Sequence, residues 1–286
     1  MGECCLVRGR ELAQALGLVC GAPHPLASLS LAYCSSLKDA SVLSLMSALS
    51  PSLRVLDLSS CMALTNRTVQ AICTYLTHLS VPRLAWCKEL RDRGLLGLGQ
   101  PSEETLQGLQ PPRELGIGPP APKGPFSLAT GPAPLTLQTL RDLDLTACSK
   151  LTDASLTKVL QVPQLRRLSL SLLPALTDKG LLAAARGCPS VERLVLSHCS
   201  RLSDEGWAQA AGSRPRLQHL HLSRCSQLAE QTLGSTGQAC KQLRMVDVAM
   251  CPGISMASIR HFQAQLPEVT CVQSRFVGGA DLTLTL

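Results

Sequence analysis

Between Leu140 and Leu156 the chain reads LRDLDLTACSKLTDASL, that is L-x-x-L-x-L-x-x-C-x-x-L-T-D-x-x-L, and it returns to this frame repeatedly. With the cysteine as anchor, the frame recurs at Cys34, Cys61, Cys87, Cys148, Cys199, Cys225 and Cys251, and Leu173 fills the anchor slot of one more copy. Successive anchors lie 27, 26, 61, 25, 26, 26 and 26 residues apart, so a single gap breaks the period. One such unit cannot bury its apolar face alone; stacking similar units supplies a continuous core. The period therefore predicts a solenoid in which each coil touches only its neighbours.

Within a coil, the stretch before the anchor alternates as a strand does. In Val55-Leu56-Asp57-Leu58-Ser59 it turns Leu56 and Leu58 inward and the other side chains outward. Three residues after the anchor a leucine (Leu37, Leu64, Leu90) re-enters the core. Two residues further stands Asp39, Asn66, Asp92, Asp153, Asp178 or Asp204, which reads as the N-cap of a helix. The stripe Leu156, Val159, Leu160 then faces inward at helical spacing. With 45% hydrophobic but only 2% aromatic residues, the core is one of Leu, Val, Ala and Cys, which suits thin coils that a bulky ring would distort. Pro82 replaces a strand leucine and cannot donate to the ladder, so an irregularity is expected in the third coil.

The spacing divides the chain into an incomplete N-terminal coil or cap (1–25), repeat coils (26–99), a Pro/Gly-rich insertion expected to be flexible (100–134), further coils (135–274) and a C-terminal cap or tail (275–286). The coils flanking the insertion are expected to stack on one another. The predicted fold class is α/β, a right-handed leucine-rich-repeat solenoid of eight or nine coils with parallel strands inside and helices outside.

The anchor cysteine and the L-T-D step after it resemble the cysteine-containing repeat subtype of the F-box and leucine-rich-repeat family. In that family the F-box docks on the Skp1-type adaptor of a cullin-based (SCF-type) ubiquitin ligase, and the repeats select the protein to be ubiquitinated. The resemblance implies a substrate-recognition component whose partner is a protein. Residues 1–25 do not supply an F-box, so a Skp1-type adaptor is expected only for a longer form that carries one. The alternative is a stand-alone scaffold or inhibitor with no ligase link.

Other function classes find little support. Fourteen cysteines invite a metal site, but anchors of successive coils lie in a line at about 4.8 Å, and four of them cannot converge on one ion. The same spacing exceeds the separation of about 3.8 Å that a disulfide's Cβ atoms favour, so the anchors read as buried thiols. No G-x-S-x-G, Walker-type or H-E-x-x-H motif is present, so the chain reads as a non-enzyme without cofactor or metal. The net charge of +7 is spread along the chain without a long basic run, which argues against nucleic acid. The first twenty residues lack a signal-peptide core and no apolar run spans a membrane; the expected location is cytoplasmic, nuclear or both.

What remains is the concave face. Positions two, four and six before each anchor point away from the core, and along the stack they include Asp57 and Arg83. The expected partner-binding residues are Asp142, Asp144, Arg167, Arg193, His219, His221 and Asp247.

Overall fold

The computed structural model describes residues 26–49, 52–97, 137, 139–158, 160–277 and 280–285. The proposed N-terminal cap (1–25), the whole Pro/Gly-rich segment (100–134) and Val159 lie outside them.

Strand and helix alternate along the chain: β1 (Ser28–Ser30), α1 (Asp39–Leu49), β2 (Val55–Asp57), α2 (Asn66–Tyr75), β3 (Val81–Arg83) and a 3-10 turn (Asp92–Gly97). After the long gap come β4 (Asp142–Asp144), α3 (Asp153–Lys158), β5 (Arg167–Ser169), α4 (Asp178–Gly187), β6 (Arg193–Val195) and α5 (Asp204–Ala211). The chain continues with β7 (His219–His221), α6 (Glu230–Ala239), β8 (Met245–Asp247), α7 (Met256–Gln265), β9 (Thr270–Val277) and β10 (Ala280–Thr285). The ten strands among the described residues form one sheet in chain order. The first nine run parallel, and β10 returns antiparallel along β9. This is the α/β leucine-rich-repeat solenoid that the period predicts.

The core follows the frame. Leu143, Leu145, Cys148 and Leu151 of one coil, and their counterparts Leu194, Leu196, Cys199 and Leu202, are buried, as are Leu156 and Leu160. Trp207 is also fully buried, although a bulky ring seemed ill-suited to the stack; its Nε1–H donates to Thr236 Oγ1 of the next coil at 2.8 Å, which satisfies the polar end of the ring. The anchor thiols act as donors. Cys61, Cys87, Cys148, Cys199, Cys225 and Cys251 place Sγ 3.1–3.3 Å from the carbonyl oxygen of Leu31, Leu58, Leu84, Leu170, Leu196 and Leu222 in the preceding coil. Burial pushes the Cys61 and Cys199 thiols up to about 11 and those of Cys87 and Cys225 to about 12, so they hold their protons.

The residue five after the anchor is not the N-cap; this expectation is corrected. Thr65, Thr177 and Ser203, one residue earlier, have extended backbones and accept from Arg67, Lys179 and Gly206 N–H. The side chain that follows each cap, a carboxylate in Asp178 and Asp204 and an amide in Asn66, is thereby released to reach into the next coil, where Asn66 Oδ1 accepts from Arg91 N at 2.9 Å. Asp39 accepts from Thr65 N (2.9 Å), Thr65 Oγ1 (2.7 Å) and Thr68 Oγ1 (2.6 Å). Asp153 meets Thr177 N and Oγ1, and Asp178 meets Ser203 N (2.9 Å) and Oγ (2.6 Å). Each cap hydroxyl thus donates to the coil behind while accepting from its own helix. Burial alone would raise Asp39, but its bonds to Thr65 and Thr68 and the charge of Arg67 outweigh it and lower the carboxyl. Stability from this group is present above the ordinary carboxylate range and is lost as pH falls through the lowered value.

The residue seven after the anchor makes room for that carboxylate, or beside Gly94 for the Asn66 amide. It is a hydroxyl that donates to it (Thr68, Ser155, Thr232) or a glycine (Gly94, Gly180, Gly206). A Cβ on Gly206 would lie 2.0 Å from Asp178 Cγ.

Pro82 sits inside β3, buried and in register with Leu56. Its missing N–H accounts for a shortened ladder: β3 meets β4 only at Arg83 opposite Asp144, where other parallel neighbours pair over three residues. The coils flanking the long gap still stack, through Trp86 N–H to Thr146 O (2.7 Å), Cys148 Sγ to Leu84 O and Thr152 Oγ1 to Asp92 (2.8 Å).

One residue departs from the core pattern. Eleven residues before an anchor stand Leu76, Leu137, Val162, Cys188 and Cys240, all buried, and in the same slot stands Arg214. Its Nε, Nη1 and Nη2 are buried without a hydrogen-bond partner among the described residues, and loss of hydration pulls its pKa down to about 10.

Two outcomes follow. Gly206→Ala and Asp178→Ala are each expected to lower stability by about 1–3 kcal/mol in urea melts, and the double variant by less than their sum, because removing the carboxylate vacates the space of the new methyl. Strict additivity would contradict the contact. Arg214→Leu is expected to raise the urea midpoint by about 1–4 kcal/mol of stability at unchanged slope; an unchanged or lower midpoint would show the guanidinium to be satisfied.

Candidate functional site: the open face of the sheet

Strand alternation that buries the middle residue of each triplet turns its flanks outward, and the parallel register lines those flanks up in columns. One column runs Asp142, Arg167, Arg193, His219, Met245. Beside it, interrupted by Ser169 and Val195, runs Asp57, Arg83, Asp144, then His221 and Asp247. All seven sequence-derived site residues therefore share one face of the sheet, spread over five consecutive strands.

Three pairs cross between neighbouring strands. Arg167 Nη1 lies 3.0 Å from Asp142 Oδ2, Arg83 Nη1 lies 3.7 Å from Asp57 Oδ2, and His221 Nδ1 lies 3.6 Å from Asp247 Oδ2. The arginine side chains are 65% and 53% exposed, so each of these arginine pairs contributes at most about 1 kcal/mol. Their larger effect is orientation. Asp57, Asp144 and Asp247 each accept from the N–H two residues on (Ser59, Thr146, Ala249; 3.0, 3.0 and 2.9 Å), which fixes the carboxylates against the sheet. Burial alone would raise Asp247, but His221, the Ala249 N–H and Ser223 outweigh it and lower the carboxyl.

Arg193 is exposed and has no carboxylate partner among the described residues, while Arg167 and His219 flank it on the adjoining strands. Burial, reinforced by Arg193, His221, Arg244 and Arg167, lowers the His219 pKa below the ordinary 6.5. His219 Nδ1 and His221 Nε2 are buried atoms without a hydrogen-bond partner among the described residues. No group of three His, Cys, Asp or Glu with metal-binding geometry occurs among the described residues, and none of their helices is long and apolar enough to cross a membrane.

A second feature adjoins this face and was missed from sequence. The residue before each anchor adopts φ between 57° and 65°: Tyr33, Ser60, Trp86, Ala147, Leu172, His198, Arg224 and Met250. Such left-handed backbone costs roughly 1–2 kcal/mol for a residue with a Cβ, and Gly, Asn or Asp relieve it best. None of the three is used. The available signal was the recurrence of large side chains at that slot, which the repeat frame marks only as x.

No family model and no curated protein matches the chain. Among solved structures, the leucine-rich repeat-containing protein LegL7 from Legionella pneumophila is similar at 16% identity and a TM-score of 0.52, over 97% of this chain and 79% of that one. Rad7, in its complex with Elc1 from yeast, aligns at 16% identity and a TM-score of 0.36 over 93% of this chain and 88% of that one. Internalin C2 from Listeria monocytogenes aligns at 17% identity and a TM-score of 0.40 over 77% and 79%. The likeness to LegL7 concerns the fold.

The electrostatics of His219 can be checked by NMR titration. Its midpoint is expected below 6.5, and Arg193→Ala is expected to raise it partway back, since burial, the larger cause, persists. A midpoint unmoved by that substitution would remove Arg193 from the environment of the imidazole.

Proposed function

We propose that the chain is a protein-recognition module whose open sheet face, between β4 and β8, receives the partner. The observation that carries this reading is the register itself. A rigid parallel sheet holds Asp142, Asp144, Arg167, Arg193, His219, His221 and Asp247 in fixed columns, and Arg193 stands there without a carboxylate partner among the described residues. At about 5 Å, two like charges repel by about 0.8 kcal/mol in water and by about 3 kcal/mol at an effective dielectric of 20. A partner that excludes water from Arg167 and Arg193 is therefore favoured if it brings a carboxylate. These charges set specificity and association rate more than raw affinity.

The resemblance to the F-box and leucine-rich-repeat family supports the finer reading, that the bound protein is a substrate carried to a cullin-based ubiquitin ligase. The adaptor would be engaged by an F-box in a longer form. The module acts by binding and performs no reaction of its own.

The partner can be identified by proximity labelling in cells and its affinity measured with purified chains. Arg167→Glu with Arg193→Glu is expected to weaken binding at least tenfold, about 1.4 kcal/mol or more. Lys179→Glu, exposed at the start of α4, should leave it nearly unchanged. Equal losses from both faces would defeat the assignment. The ligase reading is tested separately by adaptor pull-down with a form carrying an in-frame F-box, and a partner whose ubiquitination does not depend on that form would refute it.

A further inference from the structure

We propose that the loop edge at the C-terminal ends of the strands is a second docking site, which takes an extended acidic segment of a partner protein anchored by an aliphatic or aromatic side chain. Three independent features of this edge point there.

The first is apolar exposure. Of the five large hydrophobic residues that stand exposed among the described residues, Tyr33 (66%), Met62 (41%) and Trp86 (41%) flank anchors on this edge. Tyr33 and Trp86 occupy the left-handed position, where a smaller residue would be less strained. Both therefore present apolar surface to solvent beside the strand ends.

The second is shape. Trp86, Leu172, Pro174 and His198 line a shallow trough of about 390 Å³ that crosses four consecutive coils, with Ala147 among its small lining residues. At about 4.8 Å per coil the trough runs about 14 Å, the length of four or five extended residues at about 3.3 Å each. Lys88 stands at its rim with Nζ 5.8 Å from the Trp86 ring centre.

The third is charge. Between the residue before each anchor and the fourth after it, the coils carry Lys38, Lys88, Arg91, Lys150, Arg201 and Arg224, all exposed, against one carboxylate, Glu89. Glu89 is already held by Lys150 at 2.6 Å. Cations thus outnumber carboxylates over this stretch of the coils, although the same residues are scattered in sequence. Single cations, one coil or more apart, around an apolar floor suit alternating acidic and apolar side chains better than a phosphate backbone. A strand-like segment would turn its apolar residues to Trp86 and Leu172 and its carboxylates to the basic rim.

The test uses the full chain and a fluorescein-labelled eight-residue peptide alternating glutamate and leucine, with the lysine–leucine peptide and an oligothymidine as comparisons, all read by anisotropy. The glutamate peptide is expected to bind, Lys88→Glu with Arg224→Glu to weaken it at least tenfold, and Trp86→Ala about fivefold. Circular dichroism melts matching the parent would show that each variant is folded. Arg167→Glu with Arg193→Glu should leave peptide affinity within about twofold, so failure here and failure of the open-face reading can be told apart. The proposal is overturned if no peptide binds at about 1 mM, if the edge variants bind as the parent does, or if the lysine peptide or oligothymidine binds as well. It is equally overturned if binding appears only after residues 98–136 are deleted, because the chain would then cover its own edge.

Discussion

Each coil is only one strand thick, so most polar groups at its boundary have to be satisfied by the coil beside it. The carboxylate at the first helical position does this most directly. Asp178, for example, receives both the backbone N–H and the hydroxyl of Ser203, and Ser203 in turn caps its own helix. Hydrogen bonds to a charged acceptor contribute about 1.5–3 kcal/mol each, more than a neutral pair, and they are directional. Apolar stacking of the inward leucines supplies most of the burial but would tolerate sliding. The carboxylate relay fixes how far each helix start is displaced from the last, and the anchor thiols do the same at the strand ends.

That fixed step explains why the long gap between Cys87 and Cys148 leaves the sheet continuous. Arg83 pairs with Asp144, Asp92 reaches Thr152, and Cys148 donates to Leu84, the same three contacts that join sequence-adjacent coils. Stacking energy between coils is nearest-neighbour in character, so the intervening chain need only return at the correct place. The shortened ladder at Pro82 is a visible cost, and it falls where the polar relay on the helix side remains intact.

The same step governs the surfaces. Columns of side chains at constant spacing convert a residue choice at one position of the frame into a line of charge or apolar surface. On the open face three pairs of opposite sign partly neutralise each other, while Arg193 has no carboxylate partner among the described residues. On the loop edge cations outnumber carboxylates, with Trp86 among them. Two surfaces of different character therefore arise from neighbouring positions of one repeated turn.

The sequence by itself determined the solenoid, the inward set of leucines and anchor cysteines, and the identity of the outward strand residues. These follow from period and alternation, which are local properties of a chain whose contacts are all between neighbouring coils. It misassigned Asp39, Asp153 and Asp178 as caps because a preference for acidic residues at a helix start looks the same whether the side chain turns inward or across. Arg214 in a core slot, Trp207 satisfied by Thr236, and the glycines beside the carboxylates were legible only once two coils were in contact. The grouping of scattered cations along one edge was likewise decided by the tertiary structure. Residues some 26 apart become neighbours at about 4.8 Å, and electrostatics depends on that distance and not on separation along the chain.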